Sequence, residues 1–484
     1  MAYSPNIQRT IEAFLATAAS ATLLYFGNGL DPSWPLMWLA FLPLLLIALR
    51  NPWWVAGLTS ITAITLGNLN IWSYCAKTLG LPVAIWVGIV LPVALIFAVG
   101  VLLFRALVSR GAVWSGLVAL PAVGVAWEYV RNLTWPHGTA ASLAYSQLHF
   151  LPFLQLASIT GPWGISFVLL LVPASIAIAL HLRKISPRHA LRVVTAGVGT
   201  LVVALVFGAI RLTFPQSQIS SVKVGLIASD LPTAETSSPE ADTERRFSDY
   251  ARAAHKLATD GAQVIVLPEG IGNIIEGREV ATDTIFQSLA NQTGATIVTG
   301  VNNIDTSFKY DEARVFTPHF AVQRYEKEHL LPPFESDMQP GTTRLILRNH
   351  PQPWGVAICK DMDFADPARA YGKAGVGLML VPAGDFVVDR IWHGHIAIMR
   401  GVEDGFSVVR VARRGFLTVS DGHGRILAEM SSSAAPFATL LVNVPDAHHW
   451  TVYQVLGDWF AWVAIALLLF VIVKMLRLRG HTQD

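Results

Sequence analysis

The hydrophobic pattern divides the chain into two unlike parts. As far as about residue 211, long apolar runs follow one another, and each approaches the roughly 20 residues that a helix needs to cross a bilayer core of about 30 Å. They predict seven transmembrane helices, at residues 11–28, 34–49, 53–72, 82–104, 112–130, 160–182 and 191–210. We therefore expect a multi-span α-helical membrane domain at residues 1–212. An eighth run predicts a transmembrane helix at residues 457–476, followed by a tail at 477–484.

Residues 217–449 have a different hydrophobic pattern, in which short β-branched runs alternate with polar stretches of helical period. The runs predict buried strands at residues 222–228, 263–269, 296–302, 355–359, 377–383 and 407–412. Strands that are apolar along nearly their whole length belong to a sheet covered on both faces. Residues 242–261 predict a helix, because their period is helical and the stretch ends at Gly261. The segment is therefore an α/β domain inserted before the last span.

Composition supports a membrane protein. Hydrophobic residues make up 53% of the chain and charged residues 14%, whereas a soluble domain carries about 25% charged residues. The lipid bilayer is thus a predicted partner. The net charge of +2 gives no electrostatic reason to expect a nucleic acid. The two cysteines, Cys75 and Cys359, are too few for a disulfide framework and too far apart for a zinc-ligand pair.

Basic residues cluster at one set of predicted helix ends. If the N-terminus is cytoplasmic, the cytoplasmic ends carry Arg9, Arg50, Arg105, Arg110, Arg183, Lys184, Arg188, Arg192, Lys474, Arg477 and Arg479. The opposite short loops hold only Lys77 and Arg131. The positive-inside rule then directs the α/β domain to the periplasm of a bacterial inner membrane. ATP and NAD are scarce there, so we expect no cofactor and a transfer or hydrolysis without energy input.

Three segments of the α/β domain carry a reactive side chain. Glu269 follows a predicted strand in VIVLPEG, Lys327 lies in RYEKEHLL, and Cys359 ends the strand GVAIC. Ligands gather at the carboxyl ends of such strands, where a glutamate can accept a thiol proton and a lysine can neutralise an oxyanion. Each residue also fits an ordinary role, as a packed thiol, a solvated loop residue and part of a charged surface run. Only the three together indicate chemistry.

The order of Glu in LPEG, Lys in YEKEHL and Cys in AICKD resembles the nitrilase superfamily, whose members fold as an αββα sandwich and use a Glu-Lys-Cys triad. In the membrane half, WEYVRNLTWPHG and AYSQLHFLPFLQLASITGPWG resemble the apolipoprotein N-acyltransferase family, in which eight spans carry a periplasmic nitrilase domain. A later run, residues 399–426, also resembles that family, so the likeness covers nearly the whole chain. It implies a multi-span α-helical membrane domain plus an α/β nitrilase-like domain.

The resemblance also implies a reaction. Cys359 would attack an acyl ester of a phospholipid and form a thioester, with Glu269 as general base and Lys327 stabilising the oxyanion. The α-amine of a diacylglyceryl-cysteine lipoprotein would then accept the acyl chain. No metal is expected. Supporting positions are Glu335, Lys360 and Asp361, and the candidate substrate-facing residues are Glu128, Arg131, Tyr145, Gln147 and Trp392.

Two alternatives follow from the same residues. The stretch LPPFESDMQPG, residues 331–341, is closer to soluble amidases of the superfamily, which favours a membrane-anchored amidase hydrolysing a small or lipidic amide. The family also tends to have Tyr and Glu where this chain has Lys360 and Asp361, and an asparagine-bearing segment where it has Arg413 and Arg414. A binding module without catalysis is the other alternative, although it would have no need for the trio. Glu128 and Arg131, three residues apart on a helix, could also simply pair with each other.

Overall fold

The computed structural model describes residues 5–213, 220–231, 240–305 and 307–480. The chain forms two compact units. The helical unit comprises the described parts of residues 1–134, 141–213 and 456–484, and the α/β unit those of 135–140 and 214–455. The boundary differs from the predicted one, because the short segment 135–140 packs with the α/β unit.

The helical unit contains eleven of the described α-helices: α1 Pro5–Gly27, α2 Trp34–Met37, α3 Leu42–Arg50, α4 Trp53–Gly67, α5 Val83–Ser109, α6 Val113–Thr134, α7 Leu151–Leu154, α8 Ala157–Thr160, α9 Pro162–Leu182, α10 Pro187–Thr213 and α16 Trp459–Gly480. Among the described residues, 6 helices are long and apolar enough to cross a membrane. They are α1, α5, α6, α9, α10 and α16. Small residues let some of them approach closely: a Cβ on Gly124 of α6 would lie 2.6 Å from Leu170 of α9.

Two of the eight predicted spans correspond to shorter helices. The run at 34–49 divides into α2 and α3, and Pro43 lies in the first turn of α3. Proline donates no backbone hydrogen bond, so the helix restarts there instead of continuing. The run at 53–72 gives the 15 residues of α4 and a 3-10 turn, Asn68–Ile71. That these two segments cross the bilayer stays a prediction.

The α/β unit is built on two β-sheets. Its strands are β1 Ser221–Ala228, β2 Val264–Val266, β3 Asn273–Ile275, β4 Thr296–Ile304, β5 Lys309–Phe316, β6 Gln323–Glu326, β7 Leu345–Leu347, β8 Trp354–Val356, β9 Leu378–Gly384, β10 Ser407–Arg413, β11 Phe416–Ser420, β12 Ile426–Ser431 and β13 Ala438–Pro445. The first sheet has the order β13-β1-β2-β4-β5-β6, with β3 paired to β4. The second has the order β12-β11-β10-β9-β8-β7. The central pairs β1–β2, β2–β4, β8–β9 and β9–β10 are parallel.

Helices cover the outer face of each sheet. The helices of this unit are α11 Glu240–Thr259, α12 Glu279–Thr293, α13 Ala365–Lys373, α14 Arg390–Asp404 and α15 Val452–Leu456. Phe247 of α11 and Phe286 of α12 pack on Ile265 of the first sheet, and Tyr371 of α13 packs on the second sheet. Between the sheets lies a core that includes Val266. This is the αββα sandwich, so the predicted fold class is confirmed.

All six predicted strands and the predicted helix occur in the structure, with shifted ends. The strands predicted at 263–269 and 355–359 stop at Val266 and Val356, so Glu269 and Cys359 lie on the turns beyond them. The hydrophobic pattern missed β3, β5, β6, β7, β11, β12 and β13, several of which mix buried and exposed positions. Helix α16 continues into the predicted tail. Residues 217–219 of the predicted domain and 481–484 of the predicted tail lie outside the described residues.

Candidate active site

Glu269 lies on a turn after β2 that the neighbouring strand β4 holds in place. The N–H of Gly300 in β4 donates to the carbonyl of Pro268 at 3.0 Å, and the N–H of Ile271 donates to the carbonyl of Gly300 at 2.9 Å. A Cβ on Gly300 would lie 2.4 Å from the Cα of Glu269, so only glycine lets the two segments approach this closely. The buried Glu269 side chain is therefore fixed by its backbone.

Lys327 directly follows β6, and its backbone N–H donates to the carbonyl of Asp311 in β5 at 2.9 Å. This bond extends the β5–β6 pairing by one position, so both side chains lie on the same face of the sheet. The Lys327 Nζ lies 2.6 Å from Glu269 Oε1, 2.6 Å from Glu335 Oε1 and 3.0 Å from Asp311 Oδ2. Each N–H of the ammonium thus has a carboxylate to bond. The three carboxylates lie within 4.8 Å of one another, around the ammonium.

Cys359 is the first residue of a 3-10 helix, Cys359–Asp363, that follows β8. Its φ is 41°, a value that costs free energy for a residue with a side chain. The thiol donates to the carbonyl of Gly384 at 3.4 Å. A Cβ on Gly384 would lie 3.5 Å from Glu269 Oε2, so Cys359 and Glu269 are both neighbours of this glycine.

Asp361 fixes the turn that carries the cysteine. Its Oδ2 accepts the backbone N–H of Ile358 at 3.0 Å and the hydroxyl of Tyr325 at 2.8 Å. Its Oδ1 accepts the backbone N–H of His329 at 2.8 Å. Because Tyr325 and His329 flank Lys327 in sequence, this one carboxylate ties the lysine-bearing strand to the cysteine-bearing turn. Its contacts are those of a structural brace.

Lys360 also points inward. Its Nζ donates to the carbonyl of Pro136 at 2.6 Å and lies 3.2 Å from His137 Nδ1. Thr139 adds two bonds to the carbonyl of Asp363, from its backbone N–H at 3.0 Å and its hydroxyl at 2.8 Å. The segment 135–140, which we call the strap, is thereby held on the cysteine-bearing turn.

The electrostatics of the site favour a neutral thiol beside an ionised glutamate. Burial and the nearby Glu269 carboxylate raise the pKa of the Cys359 thiol well above its ordinary value, against the opposing effect of Lys327. Burial by itself would raise the pKa of Glu269, but the Lys327 ammonium and a hydrogen bond from Asp311 lower that pKa to about 2. Burial opposes the charge on Lys327, whereas the surrounding carboxylates raise its pKa well above the ordinary value.

The structure brings Glu269, Lys327 and Glu335 into direct contact and puts Cys359 beside them. Sequence reasoning missed Asp311, the third carboxylate on the ammonium. Its strand, β5, carries polar residues among apolar ones, so the apolar pattern gave no strand there. A sequence signal for Asp311 did exist: it is a carboxylate on the strand that forms a hairpin with the strand before Lys327.

Two candidate substrate-facing residues of the helical unit have protein partners. Glu128 is buried, and its Oε2 accepts hydrogen bonds from the hydroxyls of Ser142 at 2.9 Å and Ser166 at 2.7 Å. Gln147 is also buried and accepts the indole N–H of Trp38 at 3.0 Å. These bonds fit a structural role, and contact with substrate stays a prediction for both residues.

The other three candidates differ in exposure. Tyr145 is buried, and Arg131 is half-buried at the end of α6. Trp392 is half-buried on α14, next to the ring of His393. A substrate-facing role for these residues likewise stays a prediction.

Comparison with known proteins gives the same division of the chain. A family model described as the apolipoprotein N-acyltransferase N-terminal domain matches residues 20–175, and a carbon-nitrogen hydrolase model matches residues 231–446. An apolipoprotein N-acyltransferase of Geobacter metallireducens is 27% identical, over 94% of this chain and 93% of its own. One of Gloeobacter violaceus is 26% identical, over 96% of this chain and 94% of its own. Among solved structures, an amidase from Nesterenkonia sp. is 20% identical, over 48% of this chain and 92% of its own, with a TM-score of 0.40.

The two family models follow each other in the order of the two units, and relatives of one name align with nearly the whole chain. The protein therefore belongs to the apolipoprotein N-acyltransferase family of the nitrilase, or carbon-nitrogen hydrolase, superfamily.

Proposed function

We propose that this protein transfers an acyl chain from a phospholipid, through a thioester on Cys359, to the N-terminal amine of diacylglyceryl-cysteine lipoproteins. One observation carries the proposal. An ammonium bridges the buried Glu269 and the half-buried Glu335 beside a strained cysteine, in a chain that also matches the N-terminal domain of this acyltransferase family. A soluble amidase would have no use for that membrane domain.

Acylation begins with a neutral thiol, because its pKa is raised. As the sulfur attacks the ester carbonyl, the Glu269 carboxylate takes the thiol proton in the same step. The positive charge of Lys327 stabilises the tetrahedral oxyanion. When the intermediate collapses, the carbon–oxygen bond to the lysophospholipid breaks, and the proton held by Glu269 passes to the departing oxygen. The thioester remains on Cys359.

Deacylation uses the same groups in reverse. The lipoprotein amine attacks the thioester carbonyl while Glu269 accepts one of its protons, and an amide bond forms. The carbon–sulfur bond breaks, and the proton returns to the sulfur of Cys359. Two successive transfers through one nucleophile predict ping-pong kinetics. We assign Glu335 to the orientation of Lys327, and Lys360 and Asp361 to the shape of the cysteine-bearing turn.

We also propose that the α/β unit faces the periplasm. The basic residues near the predicted cytoplasmic helix ends support this orientation. The amines of exported lipoproteins would then reach the Cys359 thioester on the periplasmic side of the membrane, where these amines are exposed. We further propose Glu128, Arg131, Tyr145, Gln147 and Trp392 as residues that shape the approach of the lipid substrates.

The decisive experiment incubates the purified protein with phospholipid that carries a labelled acyl chain. We expect a thioester on Cys359, detected as a hydroxylamine-sensitive mass increase, and its discharge onto a diacylglyceryl-cysteine peptide. Cys359→Ala must abolish both steps. Cys75→Ala, which removes the other, buried thiol, is the matched control and should retain both.

The alternative activity is an outcome of the same assay. Hydrolysis of an amide without label transfer from phospholipid would support the membrane-anchored amidase that residues 331–341 suggest. An active Cys359→Ala variant would exclude both mechanisms. In cells, loss of the N-acyl group from lipoprotein N-termini on deletion of this protein is the expected result of the transferase.

A further inference from the structure

The charge around Lys327 does not balance if all of its partners are ionised. One ammonium faces three carboxyl groups, and the side chain of Asp311 is only 2% exposed. A further cation, Arg413, donates from its Nε to the backbone carbonyl of Glu269 at 3.0 Å, so three carboxylates against two cations still leave one uncompensated negative charge. An uncompensated buried charge is costly compared with the small net stability of a folded domain. At least one of the three carboxyl groups therefore holds a proton.

The contacts single out Asp311 as that group. Its distance to the ammonium, 3.0 Å, is longer than the 2.6 Å of either glutamate, as expected when the acceptor is neutral. Its Oδ1 is buried and accepts no hydrogen bond from any residue that the structure describes. By contrast, Glu335 is less buried, and its second oxygen accepts the backbone N–H of Leu331 at 2.7 Å.

The local electrostatics agree with this geometry. Burial raises the pKa of Asp311 well above its ordinary value; Lys327 lowers it, and the carboxylates of Glu269 and Glu335 raise it further. Glu335 also has a raised pKa, mainly through burial, but Lys327 and the Leu331 N–H lower it. For Glu269, in contrast, Lys327 and the neighbouring Asp311 outweigh the effect of burial and lower the pKa. Two further groups face this cluster: the Arg413 guanidinium, which lowers the pKa of Glu269, and the Cys359 thiol, whose raised pKa keeps it neutral.

We propose that Asp311 is a neutral carboxylic acid in the resting site, that its O–H donates to Glu269, and that it is a positioning residue for this base. Asp311 also accepts the longest, and therefore the weakest, of the three hydrogen bonds that the Lys327 ammonium donates. The next step rests on the proposed acyl transfer. As the oxyanion develops, Lys327 replaces its hydrogen bond to Asp311 with one to the oxyanion and retains its bonds to both glutamates. Asp311 then serves as the partner that the ammonium releases.

The proton can be observed directly by infrared spectroscopy, in the full-length protein at neutral pH and without substrate. In difference spectra, we expect a carbonyl-stretch band of an un-ionised carboxylic acid that the wild type shows, that Asp311→Asn lacks and that Glu335→Gln retains. A wild-type spectrum without this band would overturn the proposal. So would a band that disappears in Glu335→Gln but persists in Asp311→Asn. Since no lipid is present, failure here is distinct from failure of the proposed acyl transfer.

Kinetics of thioester formation give a second measurement. An asparagine at 311 keeps one donor for Glu269 and one acceptor for Lys327, whereas a glutamine at 335 removes a charge on which the ammonium depends. We expect Asp311→Asn to retain at least about tenfold more acylation activity than Glu335→Gln, and Asp311→Ala to fall well below Asp311→Asn. Equal losses in Asp311→Asn and Glu335→Gln would show that an ionised Asp311 is required, against the proposal.

Discussion

Cys359 illustrates how burial sets reactivity at the scale of one residue. Cysteine nucleophiles are commonly activated by a lowered pKa, but here burial and the Glu269 carboxylate keep the thiol protonated at neutral pH. The resting protein therefore holds no standing thiolate. In the proposed acyl transfer, the sulfur would become reactive only when a carbonyl is close enough for bond formation and proton transfer to occur together.

This leads to a prediction for alkylation in a Cys75→Ala background. At neutral pH, Cys359 should react with iodoacetamide more slowly than a free cysteine peptide of pKa about 8.5. Because the folded pKa is raised, the rate should keep rising as pH increases beyond that value. Glu269→Gln removes a negative charge that raises the thiol pKa, so it should accelerate alkylation while it abolishes acyl transfer. A rate for the wild type that already levels off near pH 7 would contradict the raised pKa.

At the scale of elements, the candidate active site is contacted by a segment that belongs to neither sheet. The strap comes from the N-terminal half of the chain, between α6 and the turn before α7, yet it packs with the α/β unit. Lys360 and Asp363, both on the 3-10 helix that begins at Cys359, hold it. The side chain of Lys360 therefore links the cysteine-bearing turn to the strap.

We predict that Lys360→Met loosens the strap. Hydrogen bonds to a charged group contribute about 1.5–3 kcal/mol, so backbone amides of residues 135–140 should exchange hydrogen at least about tenfold faster. Hydrogen–deuterium exchange followed by mass spectrometry measures this. Lys373→Met, on the exposed end of α13, removes the same charge without a strap contact and is the control. Unchanged exchange in Lys360→Met would mean that the bonds of Thr139 alone hold the strap.

At the scale of the whole molecule, the proposed chemistry requires a particular orientation in the membrane. The two units each have their own architecture, one of apolar helices and one of packed sheets. A periplasmic acceptor can reach Cys359 only if the α/β unit lies on that side. The proposed orientation in the membrane can therefore be wrong even if the proposed roles of the site residues are right.

Cysteine labelling tests the orientation in cells whose outer membrane has been permeabilised. In a Cys75→Ala, Cys359→Ser background, Val280→Cys reports on the α/β unit, since Val280 is 80% exposed. Arg110→Cys, in the exposed turn after α5, reports on the predicted cytoplasmic side. A membrane-impermeant maleimide should label Val280→Cys at once and Arg110→Cys only after the inner membrane is disrupted. The reverse pattern would put the α/β unit in the cytoplasm.

The sequence by itself determined the features that depend on local pattern. Apolar length predicts the long helices, because a span must bury about 20 residues in lipid. Continuous apolar runs predict the central strands, because parallel strands are covered on both faces. The sequence also predicted that Glu269, Lys327 and Cys359 lie at strand ends. In the structure each lies just beyond a strand end, where such side chains converge.

Only the tertiary structure decided which further groups join them. Asp311 lies in the site because β5 pairs with β6, and its strand is too polar for an apolar pattern to reveal. The strap meets Lys360 across 224 residues of sequence, a separation at which local pattern carries no information. The turn at Cys359 likewise needs Asp361, Tyr325 and the preceding strand to hold its positive φ. The positions of Glu269, Lys327 and Cys359 could be predicted because strand ends follow from local sequence, whereas the balance of charge around Lys327 arises from pairings that form only when the chain folds.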